Sequence, residues 1–180
     1  EKDYSDEIRG VEFSENIQYE DLQRAAISAC LTGSVFILTG GPGTGKTTTL
    51  NGVIKILKAQ KKRILLCAPT GRAAKRMSDL TGEPARTIHR LLEVDFTAKG
   101  ELKFKRNETN PLPADVVIAD EMSMVDALLM CSLVRAIKPT SKFIMVGDSN
   151  QLPSEGAGNV LKDLIASHYI PSVELKEIFR

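Results

Sequence analysis

Tryptophan is absent from this 180-residue chain, and aromatic residues of all kinds make up only 5% of it. A core must therefore be built from aliphatic side chains, and a hydrophobic share of 42% is enough for a folded domain and excludes a disordered one. Long apolar runs are also missing. Stretches such as Val35–Leu38 and Val116–Ala119 fall far short of the ~18 residues that a membrane span needs. The first residues are acidic and polar, not basic and then apolar, so no signal peptide is read and the expected location is cytoplasmic. Cysteine is scarce: Cys30, Cys67 and Cys131 are far apart and odd in number, which predicts reduced core residues, not a disulfide framework. No Cys/His cluster has metal-ligand spacing.

An excess of one charge sign is lacking too. The net charge is +1, so overall charge announces no nucleic-acid partner. The distribution is uneven, because residues 1–20 carry seven acids against Lys2 and Arg9, a net of −5, which leaves +6 on the other 160. Residues 1–19 show no clear period and read as an acidic leader or interdomain linker.

From Asp21 a helix is predicted, with Leu22, Ala25, Ala26, Ala29 and Cys30 on one stripe. Apolar strands then alternate with helices. The strands are Val35–Leu38, Ile64–Cys67, Val116–Ala119 and Phe143–Val146, with Val173–Leu175 as a short fifth. Buried strands alternating with helices imply an α/β fold with a parallel sheet covered on both faces. Ligands of such sheets bind beyond the carboxyl ends of the strands, where Gly40–Thr47, Pro69-Thr70, Asp120-Glu121 and Gly147-Asp148 fall. Residues 93–112 break the alternation. Val94 and Phe96, then Leu102 and Phe104, alternate with polar residues around Lys99-Gly100, which predicts a β-hairpin.

Gly40-Gly41-Pro42-Gly43-Thr44-Gly45-Lys46-Thr47 matches the P-loop pattern between a strand and a helix. Its glycines let backbone N–H groups wrap a phosphate chain, and the following helix adds its positive end, with Thr48 in the same first turn. Lys46 is expected to reach the β/γ-phosphates of ATP and Thr47 to bind Mg2+. Asp120 ends a buried strand and is the second candidate metal ligand, while Glu121 is placed to polarise a water.

A P-loop alone does not separate kinases, GTPases, remodelling ATPases and motors. The remaining segments do. Gln23, the loop at 40–47, Ala68–Ala74, Thr87–Leu92, Asp120–Asp126, Gly147–Pro153 and Glu177–Arg180 occur in the order and spacing of superfamily 1 DNA helicases of the RecD-like kind, the exodeoxyribonuclease V alpha-subunit family, which the chain closely resembles from about residue 20 to 180. The resemblance implies a RecA-like first motor domain over residues 20–180. It implies adenine reading by Gln23, γ-phosphate sensing by Gln151, and stabilisation of transferred charge by Arg180. It places Pro69, Thr70, Arg72, Thr87 and His89 where the family grips single-stranded DNA, and the hairpin where related helicases carry a pin at the duplex junction. It further implies a second RecA-like domain in the parent chain, nuclease or helicase partner subunits, no membrane, 5′-to-3′ movement, and little turnover by this piece alone. Three positions depart from the family pattern: Ala119 where a larger aliphatic is usual, Glu155 for an aliphatic, and Ala157 for proline.

Overall fold

A computed structural model describes residues 2–151 and 159–176. The predicted alternation is present. The elements run α1 (Ser5–Glu15), α2 (Asp21–Thr32), β1 (Val35–Gly40), α3 (Lys46–Ala59), β2 (Ile64–Ala68), α4 (Gly71–Thr81), β3 (Ala85–Thr87) and α5 (Ile88–Leu91). They continue with β4 (Val94–Phe96), β5 (Leu102–Phe104), β6 (Val116–Ala119), a 3-10 turn (Met122–Met124), α6 (Ala127–Ala136), β7 (Lys142–Gly147), α7 (Val160–Ser167) and β8 (Ser172–Leu175).

The six sheet strands lie in the order β3-β2-β6-β7-β1-β8, every pair parallel. Side chains alternate across it. Phe36, Leu38, Leu66, Ile118 and Ile144 share one cluster with Ile27 of α2, Val53 of α3 and Met77 of α4. Ile37, Cys67, Val117, Ala119 and Phe143 share the other with Ile88 of α5, Leu133 of α6 and Leu161 of α7. Both faces are thus covered, which is why the strands read as unbroken apolar runs.

The hairpin forms as expected, with Val94 opposite Phe104 and Phe96 opposite Leu102, antiparallel. Its strands end at Phe104; the return to Leu112 is irregular, with one bridge between Asn107 and Asn110.

Three sequence expectations need correction, and two short elements, β3 and α5, add to the predicted ones. Residues 5–15 are helical, and Ile8 and Val11 of α1 are buried in the core. Only two side chains make that contact, too few for a visible period. Glu12 ties the helix down by accepting from the backbone N–H of Tyr19 at 2.8 Å and pairing with Arg24 at 3.0 Å. Those partners hold its carboxyl below the usual range, the Tyr19 N–H foremost. The buried stripe of α2 is Gln23, Ala26, Ile27, Cys30 and Leu31, one step round from the predicted one, and Leu22 is 39% exposed. Strand β3 and helix α5 are too short to carry a period of their own. Finally, Cys131 is exposed on α6, whereas Cys30 and Cys67 are core residues whose thiols burial pushes up to about 12.

Gly52 of α3 is needed for close approach. A Cβ there would strike the Tyr19 hydroxyl and come within 3.2 Å of Ile27 Cδ1. Tyr19 is 3% exposed, and burial raises its phenol to about 12.

Candidate active site

Strand β1 ends at Gly40 and α3 begins at Lys46, so residues 41–45 turn through the loop between them. Gly43 and Gly45 take φ values of 75° and 84°, which L side chains rarely adopt. Thr44 is buried and donates its hydroxyl to Gly41 O at 2.7 Å, closing the loop on itself. Gly45 is the N-cap of α3 and offers no side-chain cap, and the first turn holds no acid. The free N–H groups of that turn face a cleft of about 270 Å³. Gly41 through Thr48 line it, with Asp120, Glu121, Asp148, Gln151 and Arg76 around them. Lys46, Thr47, Asp120, Glu121 and Gln151 are thus brought together around one cleft.

Asp120 follows β6. Its N–H donates to Cys67 O at 2.9 Å, and its Oδ1 accepts from the Glu121 N–H at 2.7 Å. Burial raises its pKa and the neighbouring Glu121 charge adds to this, while the Glu121 N–H, Lys46 and Arg76 oppose it. Glu121 sits at φ 55°, a left-handed conformation that costs a non-glycine residue about 1–3 kcal/mol and that turns the chain out of the sheet. In the 3-10 turn that follows, buried Ser123 donates its hydroxyl to Gln151 Oε1 at 3.2 Å. Gln151 N–H donates to Asp148 O at 3.1 Å, and Asp148 Oδ1 accepts from Asn150 N–H at 3.0 Å. The loop after β7 is thereby held against the turn after β6.

The donor set suits Mg2+. Among the described residues no cluster of three or more His, Cys, Asp or Glu side chains could cage a metal alone. Mg2+ at phosphates needs only one or two protein oxygens, and the desolvated Asp120 carboxylate with Thr47 in the same cleft supplies them.

Gln23 is 5% exposed, and both ends of its amide are engaged. Its Oε1 accepts from Glu20 N–H at 2.9 Å, completing a capping box on α2, and its Nε2 donates to Gly45 O at 3.3 Å. It therefore braces the P-loop from behind. A second cleft, about 650 Å³, opens beside it between Asn16, Ile17, Gln18 and the loop residues Gly43, Gly45 and Thr48.

Pro69, Thr70, Arg72, Thr87 and His89 gather away from that cleft, at the carboxyl ends of β2 and β3, where Ala68 pairs with Thr87. Thr70 caps α4 by accepting from Ala73 N–H at 3.1 Å, and Thr87 caps α5 by accepting from Arg90 N–H at 3.1 Å. Arg72 and His89 are exposed. The His89 ring lies 5.9 Å from that of Phe104, so the hairpin leans on this edge. Arg180 lies outside the described residues, as do Glu155 and Ala157. The sequence reading missed Arg76; its signal was the run of cations Arg72, Lys75 and Arg76 on α4.

Fold and site define a RecA-like P-loop domain whose phosphate-loop cleft opens at the carboxyl edge of a parallel sheet. Residues 23–157 match the model of the AAA domain family, and the chain belongs to that family. It is similar to an ATP-dependent RecD2 DNA helicase of Deinococcus radiodurans, 39% identical over 159 residues, covering 88% of this chain and 21% of that protein. It is similar also to the RecBCD enzyme subunit RecD of Mycolicibacterium smegmatis, 39% identical over 168 residues, covering 79% of this chain and 30% of that one. The chain thus spans less than a third of the length of these relatives. Among solved structures, the Pif1 helicase from Candida albicans superposes with a TM-score of 0.63 at 27% identity, covering 91% of this chain and 41% of that one.

Proposed function

We propose that the chain is the first motor domain of a RecD-like DNA helicase. The parent protein hydrolyses ATP to move 5′-to-3′ along single-stranded DNA and part the duplex at a junction. The observation that carries this reading is the joint edge. The nucleotide cleft and the Thr70/Thr87 edge stand at the ends of adjacent strands, linked by the hydrogen bond from Asp120 N–H to Cys67 O. Homology to proteins named as RecD-type helicases supports the same class.

Lys46 and the N–H groups opening α3 hold the phosphate chain. Thr47 and Asp120 hold Mg2+, which neutralises charge on the phosphates when bound. Glu121 accepts the proton of the water that attacks the γ-phosphorus, and the β–γ bridging oxygen leaves on ADP. Gln151 contacts the γ-phosphate and passes its presence to the turn after β6 through Ser123. Gln23 reads adenine by exchanging one of its internal hydrogen bonds for the base. Arg180 and an arginine of the parent's second RecA-like domain stabilise the transferred charge. Pro69, Thr70, Arg72, Thr87 and His89 hold the DNA strand, Thr70 and Thr87 through hydroxyls whose hydrogens remain free to donate. Partner nuclease or helicase subunits belong to the same reading.

ATP turnover with and without single-stranded DNA tests it, on this chain and on a longer form carrying the second domain, beside Lys46→Ala. The expected result is nucleotide binding but little turnover by the chain, DNA-stimulated turnover by the longer form, and none with Lys46→Ala. Turnover indifferent to DNA in the longer form leaves a P-loop ATPase but ends the helicase reading.

A further inference from the structure

The sheet is open beyond β2. Strand β3 is outermost and pairs only with Leu66–Ala68, so Ile64 and Leu65 meet Val116 and Val117 of β6 on one side and no strand on the other. The Val116 N–H donates to Arg63 O and the Asp120 N–H to Cys67 O. Backbone groups alternate in direction along a strand, so those of Ile64 face the open side. The sequence itself stops the pairing there. Carried two residues further back, the register sets Glu83 opposite Ile64 and puts Pro84 where a partner would donate to Ile64 O, and proline has no N–H.

This notch belongs to a groove of about 460 Å³. Leu65, Leu91 and Leu112 give it an apolar lining, and Pro84 and Pro113 flank it. Its charges are not balanced. Glu83 is paired with Lys58 and Glu93 with Arg106, whose Nη1 also donates to Pro111 O at 3.2 Å. Arg63 and Arg86 are exposed and in no ion pair among the described residues. Both glutamates of the groove are thus neutralised while two of its arginines are not, so its free charge is positive. It shares no lining residue with the nucleotide cleft.

We propose that this groove docks an extended acidic segment of a partner protein. The segment's backbone adds to the open side of β2 at Ile64, its apolar side chains meet Leu65, Leu91 and Leu112, and its carboxylates pair with Arg63 and Arg86. The guanidinium fork matches a carboxylate with two parallel hydrogen bonds. A nucleic acid suits the groove less, because no aromatic ring lines it to stack a base.

The test is an anisotropy titration of this chain with a fluorescein-labelled peptide of alternating aspartate and valine, its lysine-valine counterpart, and a labelled oligothymidylate. The proteins are the wild type, Arg63→Glu/Arg86→Glu and Arg63→Lys/Arg86→Lys. Both arginines are exposed, so the variants are expected to keep the wild-type melting temperature. The wild type should prefer the aspartate peptide, and the bound peptide should slow hydrogen exchange at the Ile64 amide. Reversing both charges should weaken binding by at least about tenfold, and the lysine pair should retain part of it. Equal binding of the two peptides, wild-type affinity in the glutamate variant, or unchanged exchange at Ile64 overturns the proposal. So does oligothymidylate that displaces the peptide and is itself lost from the glutamate variant, which assigns the groove to nucleic acid.

Discussion

Replacing Gln23 by alanine separates its two roles. The side chain is buried and makes two hydrogen bonds, one accepting from Glu20 N–H and one donating to Gly45 O. The first completes a capping box, and such caps stabilise by about 1 kcal/mol. The second satisfies a P-loop carbonyl, again about 1 kcal/mol. Gln23→Ala should therefore destabilise the nucleotide-free protein by roughly 2 kcal/mol. For a domain of this size each kcal/mol shifts Tm by about 2–4 °C, so a fall of roughly 4–8 °C is expected in a thermal melt without nucleotide. A melting point within about 1 °C of the wild type would refute the bracing role. The same variant tests adenine reading. If Gln23 faces the base, the preference for ATP over GTP disappears; if it only braces the loop, both nucleotides weaken alike.

Two further outcomes follow from burial. Asp120 has a raised pKa in the fold, so its ionised form opposes folding above that pKa, and the penalty fades as pH falls through it. Asp120→Asn keeps an acceptor for the Glu121 N–H and removes the buried charge. It should melt above the wild type at neutral pH without nucleotide, by a margin that narrows as pH falls toward the ordinary carboxylate range, and it should lose Mg2+-dependent nucleotide binding. A variant that melts below the wild type at neutral pH contradicts this account. Gly52→Ala should destabilise the domain by about 1–3 kcal/mol in urea unfolding, although alanine favours helices, because its Cβ meets Tyr19 and Ile27. Adding Tyr19→Phe removes the colliding hydroxyl and should recover part of the loss; a Gly52→Ala protein more stable than the wild type would show the contact to be loose.

The sequence by itself determined the sheet, because strands buried on both faces must be apolar throughout, as Val35–Leu38 and Val116–Ala119 are. It also determined the phosphate loop, since glycine adopts the left-handed turns at positions 43 and 45 without strain, and the hairpin, whose period of two survives in Val94, Phe96, Leu102 and Phe104. Tertiary structure decided what depends on neighbours distant in the chain. Leu22 and Gln23 exchange places between solvent and core because a P-loop carbonyl waits for an amide, and local periodicity cannot register that partner. Helix α1 exists through Glu12, which finds Tyr19 and Arg24, and through two buried side chains. The exposure of Cys131 follows from which face of α6 meets the sheet. Arg76 became part of the site only when α4 folded against the P-loop helix, which turned an ordinary surface cation into a wall of the nucleotide cleft.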